Sequence, residues 1–247
     1  MRIIDMHSHI LPGVDDGAKT FEEAVNMLKL SYNDGVRKII CTPHYHIGRV
    51  IADREKCLEG ITKLKEVIDE AKVELELYLG NEIYYHTESV EDVASGEIMS
   101  LAGSSYILFE FVPGVDISVI HKAVNDAFME GYTPIIAHFE RYGCLVNKPD
   151  RCKELKEMGA LLQVNASSVI GKSGFADNER KLKKFIKGLM KKQLISFVAS
   201  DAHGDSHRIP EFRKCYKYVV RKFGKAYAQK IFYDNQEKIL SDQVISS

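Results

Sequence analysis

The sequence predicts an α/β fold built on a closed or nearly closed barrel of seven parallel strands. Two observations carry that prediction. Seven short, almost uniformly apolar runs alternate with helical patterns along the chain, and nearly every run ends on a histidine, aspartate or glutamate. Uniformly apolar strands are those buried on both faces, as when helices cover a parallel sheet. The 247 residues, 45% hydrophobic and 28% charged, suffice for one sizeable core. No Ser/Gly/Pro-rich linker or charge block divides them, so 1–247 reads as a single domain.

Taken in order, the first run is Ile3-Ile4, which leads into Asp5-Met6-His7-Ser8-His9. Residues two apart on a strand point the same way, so His7 and His9 present two imidazoles from one edge. Leu11 to Lys19 is a Gly/Pro/Asp-rich loop. Thr20 then caps a helix with Ala24, Met27, Leu28 and Leu30 as its apolar stripe, ending near Asp34-Gly35. Lys38 to Thr42 is β-rich and stops at Pro43-His44; a long helix follows over Asp53 to Lys72, with Leu58, Ile61, Leu64 and Ile68 at helical spacing.

The rhythm then repeats. Leu75 to Leu79 ends at Gly80-Asn81-Glu82, Tyr106 to Phe109 at Glu110, and Thr133 to Ala137 at His138. Leu161 to Val164 ends at Asn165, and Ile195 to Ala199 at Ser200-Asp201-Ala202-His203. Helical patterns fill Ser118 to Glu130, Pro149 to Met158 and Asn178 to Lys192, and the chain beyond Pro210 reads as more helix.

Barrel enzymes carry their chemistry at the C-terminal ends of the strands. Those ends here supply His7, His9, His44, Glu82, Glu110, His138, Asp201 and His203. Five imidazoles and three carboxylates exceed what one ion uses, so two or three divalent metals are expected to share the pocket. Nitrogen and oxygen donors without thiolate suit Mn, Fe, Zn or Co. Neighbouring ions of this kind polarise a phosphoryl oxygen and acidify water.

Composition removes other classes. With Lys+Arg 34 against Asp+Glu 35 the formal net charge is −1, so nothing global favours nucleic acid or an anionic membrane surface. Cys41, Cys57, Cys144, Cys152 and Cys215 are scattered and form no CxxC pair, which argues against both a disulfide framework and a thiolate zinc site. The N-terminus shows no secretory pattern and no apolar window reaches the roughly 18 residues of a membrane span. A cytoplasmic location without membrane insertion is expected.

The motifs DMHSHILPGVDDG (5–17), TPHYH (42–46), GNEIYY (80–85), YILFEF (106–111), AHFERY (137–142), QVNASS (163–168) and ASDAHGDSHR (199–208) run in order over nearly the whole chain. Together they resemble the polymerase and histidinol phosphatase (PHP) superfamily of metal-dependent phosphoesterases. Within it they resemble the bacterial manganese-dependent protein-tyrosine phosphatases encoded with capsule and exopolysaccharide genes. The resemblance implies a distorted (β/α)7 TIM-like barrel, with a metal cluster held by His7, His9, Asp16, His44, Glu82, Glu110, His138, Asp201 and His203. Asp16 enters on the resemblance alone, since by spacing Asp15 serves equally well. It also implies manganese as the first candidate metal and a phosphotyrosine protein as substrate, such as a bacterial tyrosine kinase of capsule synthesis.

Arg141 lies three residues past His138 and Arg208 five past His203, on strand-end loops over the same mouth. A guanidinium fork there can hold phosphate oxygens, and the resemblance gives both arginines that part. Phe139 and Ser167 depart from the proline and glycine usual in the family, which bears on substrate fit. His46, His86, His121 and His207 have no strand-end placement, and Tyr84, Tyr85, Tyr106 and Tyr142 read as packing. No CxxxxxR segment with phosphate-cradling glycines supports a thiol nucleophile. The competing readings are a PHP phosphatase for a small ester such as histidinol phosphate, and a non-catalytic, metal-bearing regulatory protein. The two arginines argue against the second.

Overall fold

A computed structural model describes residues 2–245. Strand β1 (Ile3–Ser8) is buried along its whole length. Helix α1 (Phe21–Asp34) starts where the Thr20 hydroxyl accepts the Glu23 N–H and stops at Gly35, whose φ of 103° only glycine adopts readily. After β2 (Val36–Cys41), β3 (His44–His46) and the short β4 (Val50–Ile51) comes α2 (Arg54–Ala71), capped by Asp53. Its buried face is Cys57, Gly60, Ile61, Leu64 and Ile68, whereas Leu58, expected in the stripe, is exposed. At 3.6 residues per turn, Cys57 rather than Leu58 lies over Ile61 and Leu64.

Next come β5 (Glu76–Leu79), β6 (Glu82–Tyr84), α3 (Ser89–Ser95), β7 (Tyr106–Glu110), α4 (Ile117–Met129) and β8 (Thr133–Ile136). The chain continues through α5 (Pro149–Glu157), β9 (Leu161–Asn165), α6 (Ala166–Ile170), α7 (Glu179–Lys191) and β10 (Phe197–Ala199). It closes with α8 (Phe212–Phe223), α9 (Lys225–Gln229), a π-helical turn and α10 (Asn235–Leu240), the helical tail expected beyond Pro210.

The expected second and third strands are found, as β2 and β5, and each is followed past its expected end by a further short strand, β3 and β6. Pro43, with no N–H to donate, separates β2 from β3. Between β5 and β6 stands Gly80, where a Cβ would come within 2.9 Å of Leu101, and Asn81, whose side chain bonds the Pro43 carbonyl and the Met99 N–H in place of a ladder. The parallel ladders therefore run β1-β2-β5 in one sheet and β10-β9-β8-β7-β6-β3-β4 in another, only β4 being antiparallel. The expected barrel is not one continuous closed ladder. Past the last strand the chain meets the first where His9 N–H donates to Ala202 O and Asp201 N–H to His7 O, both at 2.9 Å.

Both faces of the strands are buried. The larger apolar cluster packs strand residues such as Ile39 and Phe109 against the helices, and a second gathers Met6, Ile40, Leu108, Ile135 and Phe197 inside, with Ile239 of α10 closing one end. Two-sided burial is why these strands read as unbroken apolar runs instead of alternating ones.

Candidate metal centre

The strand ends bring all nine expected ligand residues together. Four sets of side chains each have donor atoms within 4.8 Å of one another: His9 with Asp16, His44 and His203; His7 with His9 and Asp201; His7 with Glu82 and His138; His44 with Glu82 and Glu110. Glu82 Oε2 is the hub, 3.3 Å from His7 Nε2, 3.2 Å from His9 Nε2 and 3.1 Å from His44 Nδ1. Asp201 Oδ1 lies 3.6 Å from His7 Nε2, 3.7 Å from His9 Nε2 and 3.4 Å from His203 Nδ1.

The remaining atoms of several ligands are spoken for. Asp15 Oδ2 accepts from His9 Nδ1 at 2.7 Å and from the His44 N–H at 3.1 Å, while its Oδ1 accepts the Gly17 N–H. Gln163 Oε1 accepts the His138 N–H at 2.8 Å, which fixes the amide orientation, and stands 3.1 Å from His7 Nδ1. Its Nε2 donates to Asn165 Oδ1, and Asn165 Nδ2 donates to Asp201 Oδ2, both at 2.8 Å. Outer acceptors of this kind hold the proton on Nδ1 and leave Nε2 as a free lone pair facing inward. The Nε2 atoms of His7 and His9 are 3.2 Å apart, about the separation of two donors roughly 2.1 Å from one ion.

What faces inward lacks partners. His44 Nδ1, Glu82 Oε2 and Asp201 Oδ1 are buried with no hydrogen bond among the described residues. Unpaired buried polar atoms are costly, and here they point at one another, which fits a site for cations. The electrostatics agree. Burial alone would push His7 and His9 down, yet Glu82 and Asp201 around His7, and Asp15 and Glu82 around His9, hold both up to about 9. Hydrogen bonds from His203 and His44 hold the Asp16 carboxyl far below the usual range, whereas burial and the neighbouring Glu82 raise Glu110 to about 7. His7 and His9 thus gather positive charge, as protons in the chain alone and as metal when metal is present, whereas burial, with Arg141 beside His138 and His9 beside His203, holds His138 and His203 down to about 4.

Three of the eight non-glycine residues with positive φ among the described residues lie at the site. His138, Asp201 and Arg208 have φ of 27°, 52° and 45°, a region that costs side-chain-bearing residues on the order of 1–3 kcal/mol each. Asp5, buried and raised to about 6 by burial, anchors the seam beneath by accepting from the Ser200 N–H at 3.0 Å and the Ser200 hydroxyl at 2.5 Å.

Above the cluster opens a cleft of about 620 Å³ lined by His44, Glu82, Glu110, His138, Asp201 and His203, with Arg141 and Arg208 on its wall. Both arginines reach Asp201 Oδ2, at 2.5 Å and 2.7 Å, while Arg141 Nε is buried without a partner. His46 joins them: its ring stacks on Tyr84 at 3.8 Å and 3°, and both line the mouth. His86 and His121 do not, lying 3.5 Å from Asp92 and 3.6 Å from Glu154 on helix surfaces. Neither Phe139 nor Ser167 lines the cleft; Phe139 is fully buried, edge-on to Phe185.

Asp15, Gln163, Asn165 and Tyr142, whose hydroxyl lies 3.3 Å from His138 Nδ1, are residues that strand-end spacing did not single out as part of the site. Gln163 carried a signal nonetheless, as the one polar side chain inside an apolar run. The loop that brings Asp15 and Asp16 over His9 depends on Gly17, where a Cβ would sit 2.0 Å from the His9 carbonyl oxygen. Gly17→Ala must push that loop away, so metal affinity is expected to fall roughly 10- to 100-fold in a metal titration, as when supporting groups are removed from other sites. Unchanged affinity would show that the loop's placement is immaterial.

The geometry finds counterparts among known proteins. The tyrosine-protein phosphatase CpsB of Streptococcus pneumoniae is 36% identical over 243 residues, covering 98% of this chain and all of that one. The tyrosine-protein phosphatase YwqE of Bacillus subtilis is 31% identical, over 98% of this chain and 93% of its own. A structure from a study of YwqE and CpsB, described there as metal-dependent tyrosine phosphatases, superposes with a TM-score of 0.89 at 31% identity, over 99% of this chain and 96% of that one. The family described as capsular polysaccharide synthesis, CpsB/CapC, matches residues 3–241, and the chain belongs to that family.

Proposed function

We propose that the protein is a metal-dependent protein-tyrosine phosphatase of capsule or exopolysaccharide synthesis. The observation that carries this reading is the set of inward-facing, unpartnered donor atoms on Glu82, His44 and Asp201 beneath a cleft walled by two guanidinium groups. Nitrogen and oxygen donors of this kind suit two or three divalent ions, manganese first and Fe, Zn or Co after it. His7, His9, Asp16, His44, Glu82, Glu110, His138, Asp201 and His203 would hold them. When bound, such ions neutralise phosphoryl charge and acidify water.

The chain's own residues do the rest. Asp201 is pinned through Oδ2 by Arg141, Arg208 and Asn165, which keeps Oδ1 turned toward His7 and His9. The guanidinium N–H groups left over face the cleft, where phosphate oxygens can accept them. The stacked His46 and Tyr84 rings, with Val112 and Pro113 also on the cleft lining, form a flat wall suited to an aryl group. That wall favours phosphotyrosine over the small ester of the histidinol phosphate reading. A bacterial tyrosine kinase of capsule synthesis is the partner we infer, and the match over 3–241 is in keeping with a single domain. Five buried, unpaired cysteines suit a reducing, cytoplasmic setting, and among the described residues no helix is long and apolar enough to cross a membrane.

Thiol chemistry has no foothold. Burial pushes Cys57 and Cys152 up to about 12 and raises Cys41, Cys144 and Cys215 as well, so none is a ready thiolate. The test is turnover of phosphotyrosine peptides and p-nitrophenyl phosphate with added Mn²⁺, with chelator, and after iodoacetamide. Chelator should abolish turnover and alkylation should leave most of it. Strong inactivation by iodoacetamide with chelator harmless would sink the proposal.

A further inference from the structure

The whole-chain charge balance conceals a strong asymmetry. From Lys172 to Lys230 there are 16 Lys and Arg against five Asp and Glu, a net +11, which leaves −12 on the remainder. Helix α7 buries Leu182, Ile186, Leu189 and Met190 and exposes Lys181, Lys184 and Lys191; α8 buries Phe212, Cys215 and Val219 and exposes Lys214, Lys217 and Lys222. The helices meet where Lys183 Nζ lies 5.0 Å over the Tyr218 ring, and both pack against α6. Among the described residues only Lys172, Arg208, Arg213 and Lys214 of the sixteen form an ion pair.

Helix dipoles do not account for this. Cations in the last turns, such as Lys191 and Arg221, offset the negative C-termini. Arg180 and Lys181 in the first turn of α7, and Arg213 and Lys214 in that of α8, stand at the positive ends, where they are unfavourable. We propose that the outer face of α7, α8 and α9 docks the protein peripherally on an anionic lipid surface.

The make-up of the face favours lipid over an acidic protein or nucleic acid. Twelve of the sixteen cations are lysines, compact charges on flexible stems, and eight of the twelve lie on α7 and α8. Such charges suit many mobile headgroups, each contributing about 1 kcal/mol near the surface, whereas arginine forks serve a few fixed acceptors. The face also adjoins the catalytic cleft. Phe175, in the turn leading into α7, packs 5.4 Å from the Arg141 guanidinium. A docked molecule would therefore hold its mouth beside the lipid, within reach of phosphotyrosine segments carried there.

The test is co-sedimentation of the metal-loaded chain with vesicles of phosphatidylcholine alone or with about a quarter phosphatidylglycerol, at about 50 mM and about 500 mM salt. Binding only to the anionic vesicles, lost at high salt, is expected. Replacing Lys184, Lys191, Lys217 and Lys222 together by Glu should lower it at least about 100-fold, with p-nitrophenyl phosphate turnover unchanged. The same four replaced by Gln, checked by thermal melting, separate lost charge from lost fold, because a folded Gln variant should still bind much more weakly. Absence of vesicle binding, equal binding to neutral vesicles, or undiminished binding by the variants overturns the proposal. So does salt-sensitive retention on polyglutamate or duplex DNA with vesicles ignored. Turnover of p-nitrophenyl phosphate in each sample keeps failure of docking distinct from failure of the phosphatase reading.

Discussion

Glu82→Gln is expected to lose both metal and activity while the fold survives. One oxygen of Glu82 lies 3.1–3.3 Å from nitrogens of three different histidines and has no other partner among the described residues; the second lies 2.7 Å from His138 Nε2. Among the described residues Glu82 is the one carboxylate that belongs to two of the four donor sets, as the imidazoles of His7, His9 and His44 also do. Neutralising it leaves the imidazoles in place but removes the anionic charge that offsets adjacent divalent ions in a confined, buried space. Lewis-acid stabilisation of a phosphoryl transition state is worth several kcal/mol, and each 1.36 kcal/mol is tenfold in rate. Turnover should thus fall by about 1,000-fold or more, matching the effect of chelator on the parent. Elemental analysis should show substoichiometric metal, and circular dichroism an unchanged spectrum. A variant with full metal occupancy and turnover within a few-fold of the parent would remove Glu82 from the site.

The strand ends were legible for a physical reason. A parallel strand buried on both faces must be apolar throughout, so a histidine or carboxylate at its C-terminal end is conspicuous, and His7, His44, Glu82, His138 and Asp201 all stood out that way. Asp16 could not be told from Asp15 by spacing, because loop residues lack a period. The structure separates them: Asp15 is turned back onto His9 Nδ1 and the His44 N–H, and Asp16 stands 3.3 Å from both His44 Nε2 and His203 Nε2. What a sequence pattern does not show is that the chain resumes as β3 and β6 past those strand ends. Pro43 marks the first interruption locally, but the second depends on Gly80 against Leu101 and Asn81 against Pro43, contacts across sequence distances that no local pattern reports.

His46 was passed over because it stands two residues beyond a strand-end ligand, at the start of a hairpin with no signal in the composition. Only the antiparallel pairing of β3 with β4 turns that segment over the cleft and sets its ring on Tyr84. The basic face of α7 and α8 was masked differently. A whole-chain charge of −1 averages the positive stretch 172–230 against a negative remainder, and only the fold, which packs α7 and α8 on α6, brings their lysines to one region of the surface.

Arg141→Ala and Arg208→Ala should keep their metal and yet lose about 100- to 1,000-fold in kcat/KM on phosphotyrosine peptides, the cost of one preorganised donor in comparable oxyanion sites. A phosphoryl group in transit spreads charge over its equatorial oxygens, and donors beside the metal cluster can meet those it does not reach. The structure places both guanidinium groups on the Asp201 side of the cleft, at 2.5 Å and 2.7 Å from the same oxygen, and buries Arg141 Nε with no acceptor among the described residues. A buried donor left unpaired costs stability unless an acceptor arrives, and a phosphate oxygen in the cleft is one. The shared contact on Asp201 raises a second possibility to separate, that the arginines merely hold this carboxylate in place. Loss of metal along with activity in the alanine variants would mark that positioning role, whereas full metal with lost turnover marks contact with phosphate. Arg→Lys keeps the charge but not the planar fork, so it should recover little if phosphate is the partner. Should both alanine variants stay within a few-fold of the parent, the phosphate is held without them and Arg141 Nε has another acceptor.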